Sequence, residues 1–126
     1  MSFRMYHGSC VCGKVKFEAS FDLLAGTFKC NCSVCLKGRF WGASAKVEDV
    51  RITEGEEVIT LFGERIKHHF CGVCGTKLFG KSGDRAAINL CTLDDLDPNE
   101  WAAAPVKYFD GKHDNWKAEP EFKGHL

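Results

Sequence analysis

The chain has 126 residues, with 17 basic and 17 acidic side chains and therefore no formal net charge. This balance excludes the basic bias by which proteins attract nucleic-acid phosphates, so we expect no nucleic-acid partner. No run of about 20 apolar residues suits a membrane span, and residues 1–7 lack the apolar core of a signal peptide. We therefore expect a cytoplasmic protein without membrane contact, forming one domain over residues 1–126.

Short strand patterns separated by glycine-containing turns run along most of the chain. Residues 14–19 alternate charged and apolar side chains, as a half-buried strand does. Further strands are predicted at 27–29, 57–62, 65–70, 76–79, 87–93 and 106–109, with helix at 33–36 and 94–103. Because no long amphipathic helices alternate with these strands, the pattern predicts a mainly β fold of short antiparallel sheets with little helix.

Seven of the eight cysteines fall into three groups, and this grouping is the strongest functional signal in the sequence. The groups are Cys10-Val11-Cys12, Cys30-Asn31-Cys32-Ser33-Val34-Cys35 and Cys71-Gly72-Val73-Cys74. In a reducing compartment such thiols stay free for metal binding, whereas in a secreted protein they would form disulfides. The expected location therefore favours zinc.

The Cys71–Cys74 group has the form of a zinc knuckle, which supplies two of the four tetrahedral ligands of a structural zinc ion. The second pair comes either from Cys10 and Cys12, which point the same way in an extended segment, or from the middle group. Seven thiolates divide into four plus three, and three protein ligands leave a fourth position open, as in reactive zinc sites. Two purely structural sites, one completed by a histidine such as His7, His68 or His69, are the alternative.

The sequence resembles the family of glutathione-dependent formaldehyde-activating enzymes and centromere protein V. The residues that carry the resemblance are Gly8 to Gly13 with Val15 and Phe17, Cys30 to Cys35, Phe70 to Thr76 with Ser82-Gly83, and Leu93-Asp94-Asp95. The resemblance implies a Mss4-like fold that contains two zinc ions. It assigns Cys10, Cys12, Cys71 and Cys74 to a structural zinc and Cys30, Cys32 and Cys35 to a catalytic one.

The resemblance also implies a carbon-sulfur lyase that adds glutathione, or a similar small thiol, reversibly to formaldehyde or another small aldehyde. Zinc coordination deprotonates a thiol, and three thiolate ligands weaken the Lewis acidity of the ion, so we favour thiol activation over carbonyl polarisation. The alternative is a noncatalytic protein-binding module organised by zinc.

Several residues near these groups have both a structural and a functional interpretation. Cys91 is predicted to be a buried core thiol on the strand 87–93. Lys37 and Arg39 are interpreted as solvated surface charges, although either suits a substrate carboxylate. Phe40 and Trp41 are candidates for a pocket wall. Asp94 and Asp95 are expected to cap the second helix. Residues 110–126 are expected to form irregular structure or a loosely packed end.

Overall fold

A computed structural model describes residues 3–126, and this part of the chain forms ten strands and two short α-helices. The strands are β1 (Phe3–Ser9), β2 (Lys16–Asp22), β3 (Thr27–Cys30), β4 (Gly42–Lys46), β5 (Val50–Glu54), β6 (Ile59–Phe62), β7 (Lys67–Cys71), β8 (Lys77–Ser82), β9 (Arg85–Asn89) and β10 (Val106–Phe109). The helices are α1 (Ser33–Gly38) and α2 (Pro98–Ala103). The predicted mainly β fold with little helix is confirmed. No helix among the described residues has the length and apolar character needed to cross a bilayer.

The strands form two sheets. The smaller has the order β1-β2-β5 and the larger the order β10-β3-β4-β9-β8-β7-β6. Neighbouring strands are antiparallel except β10 and β3, which pair in parallel. A parallel pair needs a long connection, and here most of the chain lies between the two strands. The pairing places the end of β10 beside the middle cysteine group.

The hydrophobic core lies where the two sheets face each other. On β2, Phe17, Ala19 and Phe21 are buried, while the residues between them are partly exposed. The Phe17 ring meets Phe79 of β8 edge to face, with 5.4 Å between centroids. The pattern at 14–19 thus correctly predicted a strand with an apolar inner face, and the observed strand extends to Asp22.

The segment after β9 differs from the prediction. The predicted strand 87–93 ends at Asn89, whose side chain accepts from the Cys91 amide at 3.2 Å and begins a 3-10 turn, Leu90–Thr92. In this turn Cys91 is exposed, so the prediction of a buried core thiol is wrong. Leu90 and Thr92 take the buried positions instead.

The second helix is shorter than predicted and has a different cap. It begins at Pro98, and Asp97 forms a capping box with Glu100. Asp94 and Asp95, predicted to cap this helix, instead bind the end of β1. Asp94 accepts from the Ser9 hydroxyl at 2.6 Å, and Asp95 accepts from the His7 amide at 3.0 Å.

Candidate metal centres and the adjoining pocket

The structure brings four sulfur atoms from distant parts of the chain within 4.8 Å of one another: those of Cys10, Cys12, Cys71 and Cys74. The Sγ atoms of Cys10 and Cys12 lie 3.5 Å apart, and that of Cys12 lies 3.7 Å from Cys71. Two glycine turns allow this approach. Gly13 and Gly75 have positive φ angles of 79° and 82°, and their amides donate to the carbonyls of Cys10 and Cys71.

These four thiols cannot all ionise side by side without a compensating cation. The Thr76 hydroxyl, 3.2 Å from the sulfur, leads the hydrogen bonds that lower the pKa of Cys74 to about 5. An amide hydrogen bond from Lys14 lowers the pKa of Cys12, but desolvation and the neighbouring sulfurs outweigh it and raise that pKa to about 11. Close acidic groups lose their protons in separate steps because their charges repel. A divalent ion removes this conflict, and soft sulfur donors at this spacing suit zinc.

The middle group forms the second cluster, with the sulfurs of Cys30, Cys32 and Cys35 also within 4.8 Å of one another. Cys30 ends β3, Cys32 stands at the N-terminal boundary of α1, and Cys35 lies within that helix. Burial raises the pKa of Cys35 to about 12. Burial opposes ionisation of Cys32 as well, but hydrogen bonds from backbone amides and neighbouring thiols prevail and lower its pKa.

A cavity of about 210 Å³ opens beside this three-cysteine group. Its lining includes Cys30 and Cys35 of the cluster and the cationic side chains of Lys29 and Arg39. The other lining residues are Leu36, Phe40, Trp41, Cys91 and Leu126. The cavity thus combines thiols, positive charge and an apolar wall.

The cationic residues near the middle cysteine group differ in whether they line the cavity. Arg39, but not Lys37, lines the cavity. Lys29 was not singled out from the sequence, although its place before Cys30 at the end of a predicted strand was a usable signal. Lys77 was also missed: its ammonium lies 4.1 Å from the centre of the Phe40 ring, and burial lowers its pKa. Lys77 and Phe40 are far apart in the sequence, so only the fold brings this β8 residue to the Phe40 ring.

The last residues of the chain contact the two cations of the cavity. Lys29 Nζ donates to the Leu126 carbonyl at 3.2 Å, and the Arg39 guanidinium donates to the carbonyl of His125. His68 and His69 contribute to neither cysteine cluster. Nδ1 of His69 instead forms a hydrogen bond with the Lys67 carbonyl at 2.8 Å, and the His69 ring lies against Phe79.

Comparison with known proteins agrees with this arrangement. The family described as "Glutathione-dependent formaldehyde-activating enzyme" matches residues 5–110, a range that contains all seven clustered cysteines. A crystal structure of a Rhodobacter sphaeroides protein is similar to this chain with a TM-score of 0.70 and 27% sequence identity. The similarity covers 80% of this chain and 99% of the Rhodobacter chain. The chain belongs to the family of glutathione-dependent formaldehyde-activating enzymes.

Proposed function

We propose that this protein is a zinc-dependent carbon-sulfur lyase that adds a small thiol, such as glutathione, reversibly to formaldehyde or a related small aldehyde. The observation that carries the proposal is the three-cysteine cluster beside a cavity with two cationic side chains. Membership of the family supports the same reaction class.

The donor sets fit two zinc ions of different character. Cys10, Cys12, Cys71 and Cys74 would complete a closed tetrahedral site, while Cys30, Cys32 and Cys35 would leave one position for an exchangeable ligand. Zinc held by these three cysteines would supply a positive charge that lowers the pKa of a coordinated thiol. The three cysteines are catalytic in this proposal because they hold that charge beside the cavity.

The cavity residues are suited to a thiol that carries carboxylates. Arg39 and Lys29 offer charge-assisted hydrogen bonds, and glutathione has two carboxylates. Ligand sites usually exceed about 300 Å³, so the cavity of about 210 Å³ must widen to admit a tripeptide. Substrate carboxylates would replace the carbonyls of His125 and Leu126 on the two cations, and this exchange opens the same space.

The reaction needs no oxidant or reductant. The thiol sulfur forms a bond to the aldehyde carbon, the carbonyl π bond breaks, and the thiol proton ends on the oxygen as a hydroxyl. Phe40, Trp41 and Leu36 provide an apolar wall that limits competing water beside the aldehyde.

We further propose that residues 1–126 act as one domain in the reducing cytoplasm. Both sheets contribute to one buried hydrophobic cluster, which includes Phe17 of the smaller sheet and Ile88 of the larger. Zinc binding by the clustered cysteines would need free thiols, which a reducing compartment maintains.

The test uses NMR to measure the rate at which zinc-loaded protein forms the thiol adduct from glutathione and formaldehyde. Cys32→Ala should abolish the catalysed rate and remove one of two bound zinc ions, while the circular dichroism spectrum stays unchanged. Ser33→Ala, which changes the exposed neighbour, is the matched control and should behave as wild type. An active Cys32→Ala protein, or an inactive wild type with both zinc ions bound, would refute the proposal.

One observation favours the alternative of a noncatalytic, zinc-organised protein-binding module. Leu61, Phe62 and Ile66 are 54%, 63% and 42% exposed around the β6–β7 hairpin at the edge of the large sheet. Exposed apolar groups beside an edge strand are a common site of protein contact. A wild type that binds two zinc ions without lyase activity would favour this function.

A further inference from the structure

The turn after β10 lies directly against the three-cysteine cluster. In the parallel pair of β10 and β3, Phe109 is opposite Cys30, and the Asn31 amide continues the contact by donating to the Phe109 carbonyl at 3.3 Å. A 3-10 turn, Gly111–His113, follows Asp110. The register of the two strands therefore brings this turn to the point where the chain passes through Cys30 and Cys32.

Asn31 connects the two segments through both ends of its side-chain amide. Its Nδ2 donates to Asp110 Oδ1 at 2.8 Å, and its Oδ1 accepts from the Lys112 amide at 2.9 Å. Asn31 and Asp110 are each only 8% exposed, so these bonds are shielded from water. Asp110 is also 2.9 Å from Nδ1 of His113 in the same turn. The irregular or loosely packed end expected for residues 110–126 therefore does not include Asp110 and Gly111, which pack against the cysteine segment.

Gly111 makes the closest approach of this turn to the cysteines. A Cβ atom at this position would lie 2.6 Å from Cys30 Sγ and 2.9 Å from Cys32 Cβ, so a larger residue would displace the turn or the ligands. Gly111 therefore lies directly against the sulfur of a candidate metal ligand. Groups that pack against metal ligands orient them and tune their donor strength.

We propose that Asn31 and Asp110 are positioning residues that hold Gly111 against Cys30 and thereby set the geometry and metal affinity of the three-cysteine site. The inference rests on the proposed function only in assigning a metal ion to Cys30, Cys32 and Cys35. It goes beyond the family match, which ends at residue 110. The four-cysteine cluster receives no contact from this turn in the hydrogen bonds of the described residues.

Two variants disrupt this contact in different ways, and each has a matched control. Asn31→Ala removes both side-chain bonds, and Gly111→Ala puts a methyl group against the Cys30 sulfur. Asn115→Ala is the control for the first, because Asn115 is exposed and its side chain accepts from Lys117 in its own segment. Gly124→Ala is the control for the second, because a Cβ atom there would meet nothing within 4 Å.

The measurements are the release of zinc to a chromogenic chelator and the visible spectrum of the cobalt-loaded protein. In both variants we expect one of two zinc ions to leave about 10-fold faster or more, since supporting residues around metal ligands typically have effects of that size. The cobalt-thiolate absorption should shift as well. The second ion should leave at the wild-type rate, which also shows that the fold is intact.

Three results would overturn the proposal. One is that Asn31→Ala and Gly111→Ala show the same zinc release rates and cobalt spectra as Asn115→Ala and Gly124→Ala. Another is equal acceleration of both zinc ions, which indicates general destabilisation. The third is a wild type that binds no metal at the three-cysteine site. If Asn31→Ala does not fold, the zinc release and cobalt spectrum of Gly111→Ala decide whether the proposal stands. A wild type that binds two ions and responds as expected, but forms no thiol adduct, would refute the proposed lyase while supporting the positioning role.

Discussion

Cys91 lines the cavity without belonging to the three-cysteine cluster. The 3-10 turn at Leu90–Thr92 exposes its thiol, and its sulfur is outside the set of atoms within 4.8 Å of one another. We therefore predict that Cys91→Ala still binds two zinc ions, because no metal ligand is lost. Metal analysis after gel filtration measures this directly. Loss of one ion would instead identify Cys91 as a fourth, displaceable ligand.

In the proposed function, Arg39 supplies a charge that would distinguish a carboxylate-bearing thiol from a neutral one. It lines the cavity, whereas Lys37 lies two residues away and is exposed outside it. We predict that Arg39→Gln raises KM for glutathione about 10-fold, because a hydrogen bond to a charged group contributes about 1.5–3 kcal/mol. Because 2-mercaptoethanol has no carboxylate, its KM should change little. Steady-state kinetics with both thiols test this.

Lys37→Gln is the matched control for Arg39→Gln, because it removes one positive charge from the same short segment. We expect it to leave both KM values near wild type. An equal rise in KM for glutathione in the two variants would mean that general attraction, and not contact in the cavity, governs binding.

At the scale of elements, Thr27 links β3, β10 and the cavity wall. Its hydroxyl donates to the Pro105 carbonyl at 2.6 Å, just before β10, and accepts from the Trp41 indole at 2.7 Å. Thr27 is 3% exposed, so valine would leave the Trp41 indole N–H without this partner at a buried position, while the Pro105 carbonyl still accepts from the Thr27 amide at 2.8 Å. We predict that Thr27→Val lowers the free energy of unfolding by about 2 kcal/mol, as measured by denaturant titration.

Two controls separate the hydroxyl of Thr27 from other effects of substitution. Thr27→Ser keeps the hydroxyl and should retain most of the stability. Thr53→Val makes the same change at an exposed position of β5 and should alter the free energy of unfolding by less than about 0.5 kcal/mol. A Thr27→Val protein as stable as Thr53→Val would contradict the prediction.

Three strands, β1, β4 and β5, were not predicted, and in β1 and β4 small residues occupy buried positions. β1 was missed because Gly8 takes a buried position where the Phe17 ring leaves no room for a Cβ atom. β4 was missed because its buried residues are Gly42, Ala43 and Ala45. Small residues give almost no alternating hydrophobic signal, although they fit where aromatic rings from neighbouring strands fill the space.

The cysteine groups were predictable from local spacing, but their surroundings were not. Ligands two or three residues apart are visible in the sequence as short repeats. The pairing of Cys10 and Cys12 with Cys71 and Cys74 depends on the meeting of two sheets, and only family resemblance indicated it. The contacts of Asp110 with Asn31 and of Gly111 with Cys30 depend on a parallel strand pair that local patterns do not reveal.

At the scale of the whole molecule, the two cysteine clusters bridge very different lengths of chain. The four-cysteine cluster joins the end of β1 in the smaller sheet to the β7–β8 turn in the larger one. Cys12 and Cys71 are 59 residues apart, so a metal ion there would close a long loop. The three-cysteine cluster spans only residues 30–35. The entropy that a cross-link removes from the unfolded chain grows with loop length, so the four-cysteine site should stabilise the fold more.

This difference predicts two separate stages of metal removal. With limiting chelator, the ion at the three-cysteine site should leave first, because it has fewer protein ligands to displace. Burial does not explain the order, since Cys12 and Cys74 are themselves exposed. Lyase activity should therefore disappear while the circular dichroism spectrum and the unfolding midpoint remain near wild type. Excess chelator should then remove the second ion and lower the unfolding midpoint sharply. Parallel loss of activity and structure at every chelator concentration would contradict this division between the two sites.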